Sequence, residues 1–395
     1  MRIAVIGAGI IGLATAEELV VRGHEVTVFD PEPARGASLA AAGMLAHAAE
    51  MAWGQDALTP LMQASAEKYP SFVERLSATS GRSLGHRTDG TLSVGVDGAD
   101  REALGAAAEL QRTQGHRAER LTGTAARDLE PALGPAVTSA VFTPDDHQID
   151  PRRLAAALLD LLGDRVRREA VTAVTRTLEG VSGLLSASGE HHRADVVIVA
   201  AGLGAALIGG IPALPLRPVW GDVLRLRVPP ALRPLITRTV RAQVRGRAVY
   251  LVPRDDGTIV LGASVREGGV EGVHAGSVLV LLRDADTVVP GVSECEIVEM
   301  LARPRPGSPD AVPLLGVVEE GVVVATGFDR HGVLLAPLAA AVASDLAEGR
   351  PIDENVRSAM DPWRFTAATA GGPREAAAWT PPAVVDLVGA RPKGS

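Results

Sequence analysis

The 395-residue chain has one cysteine, Cys295. A lone thiol excludes an internal disulfide and every cysteine-rich metal site, and it suits a reducing compartment. No dense Lys/Arg run is present and the formal net charge is -8, so there is no basic face for a polyanion and nucleic acid is not expected as a partner. The first residues, Met1-Arg2-Ile3-Ala4-Val5-Ile6, lack the charged head and cleavage region of an export signal. The longest apolar stretches, such as 332–343, are broken by Pro337 or polar residues before the ~18 that would span a bilayer. These absences predict a cytoplasmic protein without a membrane partner.

What is present is globular. Hydrophobic residues make up 46% and charged residues 22%, with both signs interspersed, a composition that supports a large core. The length exceeds what one core usually serves, so two domains are expected, with their segments interleaved in sequence.

The strongest local signal is at the start. A β-branched run over 3–6 leads into Gly7-Ala8-Gly9-Ile10-Ile11-Gly12, then into the helical periodicity of 13–20. Gly23 stops the helix, and Val26-Thr27-Val28-Phe29 forms a strand that closes on Asp30. Strand, glycines, helix, strand and acid stand in the order a dinucleotide site requires. Gly7 permits the tight turn, Gly9 lets backbone approach a pyrophosphate, and Gly12 lets the helix pack on the strand. Asp30 accepts from ribose hydroxyls and repels a 2′-phosphate, which disfavours NADP. This unit alone leaves NAD and FAD open.

Apolar strands recur at 196–200 and 322–325 and are expected in the same parallel sheet. Elsewhere the texture is antiparallel: a strand at 90–95, and the runs 249–253 and 258–262 around the turn Arg254-Asp255-Asp256-Gly257, which predict a hairpin. The adjacent His191 and His192 are expected in an exposed turn, and no metal is predicted.

Five further segments carry a resemblance. These are Ala37-Ser38-Leu39-Ala40-Ala41-Ala42-Gly43-Met44-Leu45, Asp146-His147-Gln148-Ile149-Asp150-Pro151-Arg152-Arg153-Leu154, Tyr250-Leu251-Val252-Pro253-Arg254, Arg305-Pro306-Gly307-Ser308-Pro309-Asp310, and Ala325-Thr326-Gly327 with Arg330 and Gly332. In this order they resemble the D-amino acid oxidase family, within it the glycine oxidases of the thiamine-pathway type, from Met1 to about Arg350. The resemblance chooses FAD. It implies an α/β fold: a doubly wound, Rossmann-like FAD-binding domain from 1–82, 150–215 and 300–360, and a mainly antiparallel α+β substrate domain from 83–149 and 216–299. Residues 361–395 are left as a tail of unknown role that Trp363 and Trp379 could dock.

The resemblance also implies site residues. Gly7, Gly9, Ile10, Ile11, Gly12, Asp30, Ala41, Ala42, Gly43 and Met44 line FAD, Val171 lies against adenine, and Gly327, Gly332, Val333 and Leu334 run beside the flavin. The stretch Ala194-Asp195-Val196-Val197-Ile198-Val199-Ala200-Ala201-Gly202 is similar to the family's second dinucleotide signature. Oxidising an α-amino acid moves a hydride from Cα to flavin N5 and leaves an imine that water hydrolyses to an oxo acid, with O2 reduced to H2O2. Such chemistry needs orientation and charge stabilisation more than an acid/base pair. Arg305 is the implied carboxylate anchor, because a planar guanidinium matches a carboxylate bidentately. Tyr250 and Arg330 are the other implied substrate-side groups. A helix over 334–346, with Pro337 in its first turn, would aim its N-terminus at the flavin. Covalent relatives tether flavin through a cysteine near the segment of Arg305; Cys295 lies ten residues upstream, so FAD is expected to be non-covalent.

The chain departs from the family pattern at Asp222, Phe328, Asp329, His331 and Arg303, all near the expected substrate side. The substrate is therefore glycine or another small or N-substituted amino acid, the alternative being a larger N-substituted glycine, secondary amine or hydrazine of specialised metabolism. A non-catalytic flavin-binding protein is the alternative of another class. Self-association is left open.

Overall fold

The strand Arg2–Ile6 runs into Gly7, whose φ of +105° carries the chain through a turn where a Cβ would press on the Ala200 carbonyl. The helix Ile10–Val21 starts directly after Gly9 with no side-chain cap. At Gly12 it approaches the first strand so closely that a Cβ would overlap the Gly7 carbonyl. Gly23, at φ +86°, turns the chain into Glu25–Phe29, which pairs parallel with the first strand from Arg2↔Glu25 to Ile6↔Phe29. The predicted βαβ unit is present. This computed structural model describes residues 1–365 except 179 and 269–270, and Met1–Arg364 pack as one unit.

Around that unit a six-stranded sheet is ordered Leu314–Glu319, Val322–Thr326, Val196–Val199, Arg2–Ile6, Glu25–Phe29, Val166–Arg167. All neighbours are parallel except the first pair. The apolar runs at 196–200 and 322–325 thus join the sheet as expected. The runs 3–6, 196–199 and 322–325 are apolar without alternation because both faces are buried. Ile3, Val5, Val28 and Ile198 meet the helices Ile10–Val21, Leu58–Ser80, Pro151–Leu162 and Gly332–Ala347. Ala4, Ile6, Val197 and Val199 meet Val174 and Leu184 of a three-stranded antiparallel sheet, Val171–Thr177, Gly180–Ser186 and His191–Arg193. Each fully buried branched side chain contributes roughly 1.5–3 kcal/mol.

His191 and His192 lie in a strand and not in the expected turn, with His191 exposed as expected and His192 covered. They belong to the last of these strands, and the His192 ring packs on Phe29 at 4.7 Å with Nε2 3.1 Å from Glu169. Pairing with Leu184 and Leu185 turns the two rings to opposite faces of the strand.

The second sheet has nine strands. Its order is Arg266–Glu267, Arg217–Arg227, Thr258–Gly262, Arg247–Pro253, Thr239–Val244, Thr91–Gly95, Ser139–Thr143, Glu119–Thr122, with Glu296–Gly307 also paired along Arg217–Arg227. Only Thr239–Val244 and Thr91–Gly95 pair in parallel. The predicted hairpin is present, closing at its turn with Pro253 opposite Ile259 and placing Tyr250 opposite Gly262 at its open end. Glu296–Gly307 runs through position 300, where a domain boundary was expected, and pairs with Arg217–Arg227 to its end. One face of the sheet buries Leu224, Leu251 and Leu261 against the helix Ala275–Val288. The other presents Val223, Val252 and Val260 to Ala42 and Met44.

The helix expected over 334–346 spans Gly332–Ala347, so Pro337 lies in its second turn and not its first. Periodicity could not see the extra N-terminal residues because Gly332 and Val333 follow a loop without a capping side chain. Among the described residues no helix is long and apolar enough to cross a membrane. Trp363 is 40% exposed, while Trp379 lies outside the described residues.

Candidate active site

The parallel strands all end at one edge, where Gly7, Asp30, Ala200 and Gly327 follow Ile6, Phe29, Val199 and Thr326. The first-turn N–H groups of Ile10–Val21 have no intrahelical acceptor, and among the described residues only Ile10 finds a side chain, the Ser38 hydroxyl at 3.0 Å. Asp30 accepts from the backbone N–H of Ala8 at 2.7 Å and of Glu32 at 2.8 Å. Burial raises its carboxyl above the ordinary value, opposed by those two N–H groups. Each carboxylate oxygen keeps a second lone pair for a ribose hydroxyl. Val171 packs into the cluster that holds Phe29, beside Asp30. Uncapped helix, close-approach glycines and terminal acid fit a dinucleotide's pyrophosphate and ribose. Ile10, Ile11, Val333 and Leu334 are core side chains, so only their backbone is available to a cofactor.

The small-residue loop is pinned from two sides. Met44 and Leu45 pair with Gln148 and His147, and Gly43, at φ +70°, sits so close to the Ile149 carbonyl that no Cβ fits. From the second sheet the buried Arg254 guanidinium donates to the Ala42 carbonyl, to the Ile149 carbonyl at 3.1 Å and to Gln148 Oε1 at 3.3 Å. Burial among these neutral acceptors pushes its pKa down to about 10. Arg254 therefore ties Ala41, Ala42 and Gly43 to the substrate-side sheet, a role with no local signal beyond the residues after Tyr250.

Facing that loop, Tyr250 lies over Gly262 and Arg305 over Gly221; a Cβ at either glycine would overlap the tyrosine ring end or the guanidinium. Among the described residues Arg305 has only long contacts, 3.5 Å, to the carbonyls of Trp220 and Ser264. Burial raises the Tyr250 phenol to about 12 against the pull of the Arg305 charge. The loop 327–331 meets the same region: Phe328 bridges Gly307, and Asp329 N–H donates to the Pro306 carbonyl at 2.8 Å. Arg330 is exposed and carries no ion pair among the described residues, its Nε donating to His331 Nε2 at 3.2 Å.

Two acids complete it: Glu50, which is absent from the expected site, and Asp329, which is part of it. Glu50, 9% exposed, pairs with Arg241 and lies 3.4 Å from His331 Nδ1. Burial opposes its ionisation, but Arg241, His331 and Arg330 hold its carboxyl well below the usual range. Asp329, at φ +43°, has a buried Oδ1 with no hydrogen-bond partner.

Asp222 stands apart from the expected substrate side. Its neighbours Gly221 and Val223 face the loop, so alternation turns Asp222 the other way. There it is fully buried, paired with Arg266 at 3.1 Å and accepting from Ser264 Oγ and from His274 N–H at 3.2 Å. Arg303 reaches the Arg35 carbonyl at 3.2 Å, toward the small-residue loop.

A doubly wound sheet with a dinucleotide cradle, faced by an antiparallel sheet bearing Arg305, defines a flavin-type oxidoreductase. The comparisons agree: the profile of FAD dependent oxidoreductases matches residues 2–346, and the chain belongs to that family. FAD is its cofactor, and the cradle from Gly7 to Asp30 with the Ala41–Gly43 backbone would hold it. The glycine oxidase of Geobacillus kaustophilus is 32% identical over 355 residues, 88% of this chain and 92% of that protein. A crystal structure of glycine oxidase from the same organism superposes with a TM-score of 0.84 at 30% identity, covering 92% of this chain and 99% of that one. Iminodiacetate oxidase from Chelativorans superposes with a TM-score of 0.79 at 25% identity, covering 89% and 96%.

Proposed function

We propose that the protein oxidises the α-carbon of glycine or a small N-substituted glycine, in the cytoplasm, with O2 as electron acceptor and H2O2 as by-product. The observation that carries this reading is Tyr250 beside Arg305, opposite the small-residue loop, with Arg330 on the adjoining loop 327–331 and neither guanidinium holding a carboxylate partner among the described residues. The names of the similar proteins support it, since iminodiacetate is itself an N-substituted glycine.

Arg305 takes the substrate carboxylate bidentately, and Arg330 adds a second positive charge from the loop before the helix Gly332–Ala347. Tyr250, neutral because burial raises its phenol, donates a hydrogen bond to the docked carboxylate and shapes the pocket. Val223, Val252, Val260 and Ala42 form a dry wall that keeps water from the reacting carbon. Bound FAD supplies the hydride acceptor. The oxidised product leaves as an imine and hydrolyses to an oxo acid.

Mixing the purified protein anaerobically with a panel of glycine, N-alkylglycines and secondary amines tests this. Bleaching of the flavin absorbance by an α-amino acid, followed by H2O2 production on admitting air, is the expected result. A flavin that no amine bleaches would leave a non-catalytic flavin-binding protein.

A further inference from the structure

Segment 44–50 links the small-residue loop to a buried acid. After Leu45 the chain turns, with Ala48 and Ala49 N–H donating to the buried carboxylate of Asp146 at 3.0 and 3.1 Å and Glu50 N–H to the Ala46 carbonyl at 2.9 Å. This turn delivers the Glu50 carboxylate beneath Arg330. One oxygen accepts from Arg241, and the other lies 3.4 Å from His331 Nδ1, which has no closer partner among the described residues. His331 is 2% exposed, and its Nε2 is 3.2 Å from Arg330 Nε.

The chemistry of these atoms fixes the proton positions. A guanidinium Nε–H donates and has no lone pair to offer, so His331 Nε2 must be the acceptor. The neutral ring then carries its proton on Nδ1, facing the Glu50 carboxylate. A carboxylate on the far side of an imidazole stabilises that tautomer and orients the ring. The result is a relay, Arg241–Glu50–His331–Arg330, that holds Arg330 by its Nε and leaves both terminal nitrogens free.

We propose that Glu50 and His331 are positioning residues that aim Arg330 at the substrate carboxylate. This rests on the reading of Arg305 and Arg330 as carboxylate anchors. Without an acceptor at the Nε2 position Arg330 is no longer held by its Nε, and substrate capture falls through KM more than through kcat.

Steady-state kinetics and anaerobic flavin reduction on FAD-loaded protein test the relay in three variants. His331→Gln sets an amide oxygen near the Nε2 position and keeps an acceptor for Arg330, so KM stays near the parent value. His331→Phe offers no acceptor, so KM rises about tenfold and the reduction rate at saturation moves less. Glu50→Gln weakens the tautomer and raises KM in the same direction, with FAD content as the check that the fold is intact. A KM unchanged in His331→Phe, or raised as much in His331→Gln as in His331→Phe, overturns the relay. Arg305→Lys in the same assays separates the two layers: if it raises KM while the His331 variants do not, the anchor reading stands and the relay falls. A KM unmoved by Arg305→Lys removes the anchor reading, and the relay with it.

Discussion

The Tyr69 hydroxyl donates at 2.5 Å to the Val333 carbonyl, the carbonyl that Pro337, having no N–H, leaves without a helical partner. One residue on, Ser65 Oγ bridges the same turn, donating to the Leu334 carbonyl at 2.7 Å and accepting from Leu338 N–H at 3.3 Å. The helix Leu58–Ser80 thus supplies from outside what the proline removes from within. This keeps Gly332–Ala347 continuous at the end nearest Arg330.

Tyr69→Phe should therefore destabilise the protein. Its hydroxyl is the replacement partner of a buried carbonyl, and leaving such a group unsatisfied costs about 1–3 kcal/mol. Denaturant unfolding of the holoenzyme measures it, and a difference within error of zero contradicts the argument.

Gly221→Ala should injure substrate capture and spare cofactor binding. The added methyl overlaps the Arg305 guanidinium, which must then leave its position over the strand. A fall in kcat/KM of about tenfold or more is expected, with the flavin spectrum unchanged. Parent-like kinetics would show that Arg305 does not act from this position.

Glu50 should contribute to acid sensitivity. Its folded carboxyl is held below the ordinary value of 4.5, so its stabilising contribution is present above that value and is lost as pH falls below it. Between about pH 5 and pH 3, stability of Glu50→Gln should decline less steeply than that of the parent. Parallel declines in urea unfolding would show that the carboxylate is not stabilised by its partners.

Asp329 offers the one buried carboxylate oxygen of the loop 327–331 without a hydrogen-bond partner, whereas Asp222 is consumed by Arg266, Ser264 and His274. A cationic substituent on the substrate nitrogen thus has Asp329, and not Asp222, to pair with. N-alkylglycines with a cationic tail should exceed glycine in kcat/KM, and Asp329→Asn should shrink that preference roughly tenfold, about 1.4 kcal/mol. Glycine turned over equally well or better by the unmodified enzyme removes the cationic-tail preference.

The flavin should leave intact as FAD on acid or heat denaturation. Cys295 immediately precedes the strand Glu296–Gly307, ten residues from Arg305, half-buried with Sγ 3.5 Å from the Gly291 carbonyl. Cys295→Ser should leave cofactor content unchanged. Flavin that stays with the denatured chain on a gel would reveal a covalent link.

Much of the architecture was legible because its causes are local. The turn at Gly7, the close packing at Gly12 and the acid closing the second strand are demands on single residues at fixed spacing. Apolar runs without alternation announced strands buried on both faces, and a four-residue turn announced the Tyr250–Gly262 hairpin. The resemblance then pointed to Tyr250, Arg305 and Arg330, which lie within one region of the structure.

Other features depend on which residues meet across long separations. Glu50 and Arg241 are 191 positions apart, and neither stretch marks the acid as anything but a surface charge. Asp222 looked like a substrate-side group by position, yet strand alternation, a one-residue matter, turns it toward Arg266. His192 looked exposed because its neighbours are polar, and the ring of Phe29 covers it. Taken alone, the sequence determined the dinucleotide unit and the class of each sheet, since backbone conformation and hydrophobic period are written residue by residue. Only the tertiary structure decided which charges neutralise each other and which guanidinium groups remain free, because electrostatic pairing depends on distances that the chain sets only when it folds.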